Sequence, residues 1–312
     1  MNAITAERES APQTRRTLRE APRRRRVGVS GWITAIAWVL GVAILLYPTA
    51  AAWIFQYNQS SLVGFYHDEV AEADPDVTAQ FRNAHAYNEA LSSGALLEAG
   101  GNVPVGSGQS RDSAALPYAD QLITPSGMMA RLLIPAIDLD LPIYHGTDDD
   151  TLMNGLGHLE GTSLPVGGAS TRSVITGHRG LASARMFTDL DKVKQGDTFT
   201  LETLDQVLVY RVNDIRVVDP DDTATLHQIP GEDLVTLITC TPLGVNTHRI
   251  LITGERITPT PLTEIEAAGK PSTAVGFPWW LVQFLSAVAL GAAYVVWLRR
   301  PYGRSRRLAA SA

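Results

Sequence analysis

Cysteine is almost absent from this chain of 312 residues. Cys240 is the only one, so no disulfide can close within the chain. Charge is thin as well: 19% of residues are charged against 45% hydrophobic, which excludes a wholly disordered or collagen-like protein. Basic residues are scarce where a nucleic-acid-binding face would need them. Residues 1–30 hold eight Arg against three Glu, and residues 299–312 hold five Arg and no acid. The 13 basic and 29 acidic residues that remain leave 31–298 at a net charge of −16, which excludes a nucleic-acid partner for the middle of the chain.

Charge is missing altogether from two stretches. Gly31 to Phe55 and Ala274 to Leu298 each run 25 residues without a charged side chain. About 20 apolar residues cross a bilayer as a helix, so both read as membrane spans. The first is too long for a signal-peptide core, and no clear small-residue cleavage site follows it at once. Trp32, Trp53, Trp279, Trp280 and Trp297 lie near the ends of the two stretches, where indole rings favour the membrane interface. The Arg clusters sit just outside the outer ends. The positive-inside rule then puts both termini in the cytoplasm and residues 56–273 outside.

The organisation follows. Residues 1–30 read as a disordered Arg-rich cytoplasmic tail, 31–55 as a transmembrane helix, 274–298 as a second one and 299–312 as a basic cytoplasmic tail. Behind Pro75, the spacing of Val77, Phe81, Ala84, Tyr87 and Leu91 predicts an amphipathic helix over Asp76–Leu91. Residues 92–127 are rich in Gly, Ser and Pro and read as a long mobile loop. From 131 the pattern turns to strands. Alternation at Ile137, Leu139, Leu141 and Ile143 is joined by β-branched runs at Val174–Thr176, Thr198–Leu204, Val207–Val212, Ile215–Val218, Leu234–Cys240 and Arg249–Ile257. Short helices are expected at Asp150–Leu156 and Ala184–Val193. The class is mainly β, a barrel or sandwich. Residues 258–273, rich in Pro and Thr, read as a linker back to the membrane.

An external domain usually uses cysteines in pairs. A lone Cys240 is therefore a buried passenger, an intermolecular linker or a reactive thiol. It closes the run LVTLITC and is followed by TPLGVNTHR, so a strand–loop–strand can return Arg249 to its side. Another run, SVITGHRG, ends with His178 at an equivalent position. A nearby His or Arg favours the thiolate that makes a cysteine nucleophilic. The same His can protonate a departing amine, and a guanidinium can bind an oxyanion. These residues alone leave a structural cysteine equally open.

The segment TLITCTPLGVNTHRILITGER resembles the active-site strand pair of the sortases, cysteine transpeptidases of Gram-positive cell surfaces. IPAIDLDLPIYHGT, GLGHLEGTSLPVGGASTRSVITGHRGL and MFTDLDKVKQGD resemble the class C, pilin-polymerising branch. The resemblance implies a sortase-type β-barrel over 128–257, an extracellular helix and lid-like loop over 56–127, and flanking transmembrane helices. It implies Cys240 as nucleophile, His178 as general acid and base, and Arg249 as stabiliser of an oxyanion or substrate carbonyl, with no cofactor and no metal. It further implies partners that carry LPxTG-like sorting signals, cleaved between Thr and Gly and joined to a pilin lysine. The class C lid usually carries an Asp-Pro-aromatic motif. Between Tyr87 and Tyr118 none is present, and Asp74-Pro75-Asp76 lacks the aromatic residue. A sortase that anchors single surface proteins to the cell wall, and a non-enzymatic double-anchored scaffold or adhesin, are the competing readings.

Other residues carry blander expectations. His248 neighbours Arg249 and should point the opposite way along a strand. His145 and His158 lack a second ligand at metal spacing and read as structural. Asp148-Asp149-Asp150 lacks the rest of a calcium loop and reads as a helix cap. Gly155-Leu156-Gly157 is too short for a nucleotide fingerprint, and Lys270–Ala274 reads as plain linker.

Overall fold

A computed structural model describes residues 27–72, 76–91, 117–270 and 275–300. The outer parts of both Arg-rich tails, most of the 92–127 loop, Asp74-Pro75 and residues 271–274 lie outside the described residues. The chain forms two units. One takes in residues up to Leu45 and from Val282 onward, the other Leu46–Leu281.

In the first unit the described residues are two helical stretches. Each belongs to a helix long and apolar enough to cross a membrane: α1, Val29–Ala71, and α5, Trp279–Leu298. They meet through small side chains. Ala35, Ala287 and Val295 are buried, and a Cβ on Gly291 would come within 3.5 Å of Val39 Cγ2. The Trp38 indole N–H donates to the Ala287 carbonyl at 3.3 Å. α1 runs well past the expected end of its span at residue 55. Its later turns carry Val63, Tyr66 and Val70 at helical spacing, and these are buried in the second unit against Phe81, Ala84 and Tyr87. Those last three lie on α2, Val77–Ala90, which begins where the Asp76 carboxylate accepts the Ala79 N–H at 2.7 Å.

The second unit is built on a closed barrel of eight strands. They are β1 (Ala130–Ile134), β2 (Leu139–His145), β3 (Leu156–His158), β4 (Thr171–Thr176), β5 (Thr198–Thr203), β6 (Gln206–Val218), β7 (Asp233–Thr241) and β8 (His248–Arg256). Around the barrel they run β1-β2-β3-β4-β7-β8-β6-β5, and β5 closes on β1. The β2–β3 and β4–β7 pairs are parallel, and the others are antiparallel. Period-two alternation sends Val235 and Leu237 of β7 and Ile250 and Ile252 of β8 into the main core. The alternate residues face outward. There Val174, Ile238 and Leu251 form a small apolar patch with Leu159 and with Leu226 of the β6–β7 loop.

The closing seam holds a buried charge cluster. Arg131 on β1 donates to both Asp140 oxygens, at 2.8 and 2.7 Å, and to Glu202 at 3.0 Å. The guanidinium fork suits this paired geometry, and both carboxylates lie on strands flanking β1.

Several expected elements differ. The polar Asn213-Asp214 step reads as a break between two strands, but β6 passes through it as one strand with a register irregularity between Val212 and Asp214. The helix expected over Ala184–Val193 reduces to one 3-10 turn at Leu190–Lys192. The helix expected at Asp150–Leu156 starts and stops earlier: α3 spans Asp149–Asn154, and Leu156 opens β3. The linker 258–273 contains a short helix, α4 (Leu262–Ala267). The described end of the long loop, from Pro117, is anchored rather than free, because the Tyr118 ring packs on His145 and His158.

Candidate active site

Three strands bring the candidate residues to one outer face. Cys240 on β7 lies directly opposite Arg249 on β8 in an antiparallel ladder. β4 runs parallel to β7 with Thr176 beside Ile238. The pairing continues past the end of β4, where the Gly177 N–H donates to the Ile238 carbonyl at 3.2 Å. The Thr239 hydroxyl donates back to the Gly177 carbonyl at 2.8 Å. The next residue, His178, is thereby level with Cys240 and on the same side of the sheet. Gly177 is required by space: a Cβ there would sit 2.6 Å from Leu156 Cδ2 and 2.9 Å from Phe187 Cδ2.

The loop after His178 is fixed by a residue that sequence reading passed over. Arg179 ion-pairs with Asp191 at 2.6 Å, donates to the Thr241 hydroxyl at 3.1 Å and to the Thr188 carbonyl at 3.2 Å. It ties the loop to the end of β7, one residue beyond the thiol. The Phe187 N–H adds a bond to the His178 carbonyl at 3.0 Å. Arg179 stands beside the histidine in TGHRG, but nothing in its spacing announces partners that lie 9 to 62 residues away.

Cys240 is 5% exposed and Arg249 1%, while His178 is half-buried. Burial pushes the Cys240 thiol pKa up, and the Arg249 charge pulls it back only in part. Burial pulls the His178 imidazole down, with Asp149 offsetting some of that. Both groups are therefore neutral at neutral pH in the resting site. The expected pull of Arg249 toward the thiolate is present, but desolvation outweighs it. Arg249 Nη1 donates to the carbonyls of Asn246 and His248, each at 3.1 Å, so the guanidinium is clamped on the β7–β8 turn.

The remaining histidines lie elsewhere. His248 is on the other side of its strand, with Nδ1 sharing a 2.8 Å hydrogen bond with the Thr247 hydroxyl and Nε2 at 3.4 Å from Asp219. His158 is fully buried, with Nδ1 at 2.9 Å from the Tyr118 hydroxyl, and its pKa is pushed down to about 4 by burial. His145 contacts the Gln121 carbonyl at 2.6 Å. The two histidines hold the segment around Tyr118 to the barrel. Asp148 caps α3 by accepting the Thr151 N–H at 2.9 Å. No group of three or more potential metal ligands occurs among the described residues.

This geometry can be set beside known proteins. A family model for the sortase domain matches residues 132–257. Sortase D of Bacillus subtilis is 31% identical over 130 residues, covering 41% of this chain and 63% of that protein. The chain thus spans less than two thirds of that curated relative. Among solved structures, sortase C-1 from Actinomyces oris is 48% identical, covers 58% of this chain and 98% of that one, and has a TM-score of 0.51. Sortase C from Streptococcus pneumoniae is 40% identical, covers 64% of this chain and 98% of that one, and has a TM-score of 0.56.

Proposed function

The chain belongs to the sortase family, on its class C side, and from that membership we propose a membrane-anchored cysteine transpeptidase that builds pili. The observation that carries the reading is the single outer face on which the chain's only thiol lies between a buried arginine and a histidine. The pneumococcal relative bears on pilin substrate specificity, which favours pilins as the partners here. The two long apolar helices support anchoring on both sides of the domain, with both termini cytoplasmic and the barrel outside.

The chemistry starts from the neutral pair. The Cys240 thiol gives its proton to His178 as Sγ attacks the Thr carbonyl of an LPxTG-like signal. Arg249 offsets the charge that develops on the carbonyl oxygen. As the intermediate collapses, the Thr–Gly C–N bond breaks, and the same proton passes from His178 to the leaving Gly amine. A thioester to Cys240 remains. The amine of a pilin lysine then attacks it, loses a proton to His178, and departs as an isopeptide while Cys240 regains its thiol.

The test uses full-length protein in detergent with an LPxTG peptide and a lysine-bearing pilin acceptor, scored as isopeptide product by mass spectrometry. Cys240→Ala should form neither thioester nor product. His178→Ala should lose roughly 10²–10⁴-fold in rate. Turnover by Cys240→Ala at the unmodified rate would refute the reading.

A further inference from the structure

The face that carries Cys240 continues into a second feature. Beneath the loop joining β6 to β7 lies a cavity of about 430 Å3 whose lining includes Arg172, Arg216, Leu251, Thr253, His227 and Glu232. Its floor is the outer side of β6 and β8, with Leu234 of β7, and the apolar patch of Leu159, Val174, Leu226, Ile238 and Leu251 lies between it and Cys240. Leu251, which borders the cavity, lies opposite Ile238, two residues before the thiol.

Arg172 is the unusual member. It is only 5% exposed, yet all of its hydrogen-bond partners are neutral. Nε donates to the His227 carbonyl at 2.8 Å, and Nη1 donates to the hydroxyls of Thr236 at 2.8 Å and Thr253 at 3.5 Å. Among the described residues no carboxylate lies within ion-pair distance of Arg172, and Nη2, which is not sealed off, has no hydrogen-bond partner. Asp214, the nearby acid on β6, is already engaged by Arg216 at 2.7 Å. Glu232 and Asp214 act on Arg172 only through space, and burial still pulls its pKa down. A cation held this way, with one edge of its fork open to a cavity, is set to receive a carboxylate.

We infer that the Arg172 cavity is a subsite for an acidic side chain of the polypeptide substrate, in the residues just ahead of the sorting signal's leucine. This rests on the transpeptidase reading above. The position follows from lengths. From Cys240 down to Thr236, where the guanidinium is bonded, is four residues of strand, about 13 Å. The four signal residues from Leu to the scissile Thr make three steps, about 10 Å when extended, so the residue ahead of Leu completes the distance. The side chain that meets Arg172 therefore belongs to that residue or the one before it.

The experiment compares kcat/KM of the full-length protein in detergent for LPxTG peptides that carry Glu, Gln or Lys one, two or three residues before the leucine. The expected result is a preference for Glu over Gln of about tenfold at one of these positions, the size of one charge-assisted hydrogen bond, with Lys disfavoured. Arg172→Gln should bring that ratio to about one. Glu232→Gln removes a competing charge from the cavity and should raise the ratio, which keeps the inference testable if Arg172→Gln does not fold. A ratio near one at all three positions, or a ratio unmoved by Arg172→Gln, overturns the subsite; so does an unmoved ratio in Glu232→Gln. Absence of turnover with every peptide counts instead against the transpeptidase reading.

Discussion

Replacing Arg249 by Gln should slow alkylation of Cys240, and the size of the effect can be worked from the ladder. The two residues are directly opposed on β7 and β8. Taking thiolate and guanidinium at about 6 Å and an effective dielectric of about 20, their attraction is roughly 3 kcal/mol. Losing all of it would cut the thiolate population roughly a hundredfold. A thiolate of higher basicity is also a better nucleophile, with a Brønsted slope near 0.4–0.5, which returns about half of the loss on a logarithmic scale. The expected slowing at neutral pH is therefore about tenfold. Because burial has raised the thiol pKa, the alkylation rate of the unmodified enzyme should climb with pH and inflect above the range of an ordinary cysteine. The assay is the rate of iodoacetamide incorporation against pH, followed by mass spectrometry; Cys240 is the sole thiol, so no other site contributes. Arg249→Lys keeps the charge and should keep most of the alkylation rate. It loses the planar fork and the two carbonyl bonds to Asn246 and His248, so transpeptidation should still fall at least tenfold. A wild-type profile that inflects below pH 7, or an Arg249→Gln rate equal to wild type, would refute the reasoning.

Other outcomes can be checked separately. Gly177→Ala should displace His178 through the clash with Leu156 and Phe187, lowering kcat by more than tenfold while thiol alkylation persists. Arg131→Ala strands Asp140 and Glu202 in the barrel seam and should destabilise the domain by about 3–5 kcal/mol, read as a lower thermal midpoint. His158 is neutral in the fold, with a pKa near 4 against 6.5 for the free side chain. Its contribution, about 3 kcal/mol, is complete above pH 6.5 and is lost as the pH falls toward 4. The thermal midpoint should drop over that window, and His158→Gln should flatten the drop.

Legibility in the sequence followed the range of the interactions. The β7–β8 hairpin is a local structure, so Cys240 and Arg249 could be paired from a strand, a Pro-Gly break and a second strand. His178 reaches the same face through a parallel pairing that no short-range pattern specifies; only the TGHRG motif pointed to it. The barrel class was visible in the number of short β-branched runs, but its closure between β1 and β5 was not. The missed helix at Ala184–Val193 reflects competition: the segment is held by Arg179, Phe187 and Thr188 reaching back to the His178 loop. The resting charge of Cys240 was not legible, because burial is invisible to spacing. Arg172 drew no notice for the same reason, being an ordinary strand residue until its surroundings are seen.

The parallel pairing of β4 with β7 has a consequence for when the enzyme becomes reactive. The 61 residues between His178 and Cys240 contain β5 and β6, so the histidine and the thiol meet only after a long crossover has been completed. The hairpin that holds Cys240 and Arg249 can form early, since its contacts are local, whereas the contact with the His178 strand is among the slow ones. Until that crossover is complete, the chain would thus carry the Cys240–Arg249 hairpin without His178 beside it. On the mechanism proposed above, chemistry would switch on only with barrel closure, and a partly opened chain would not trap substrate as a dead-end thioester.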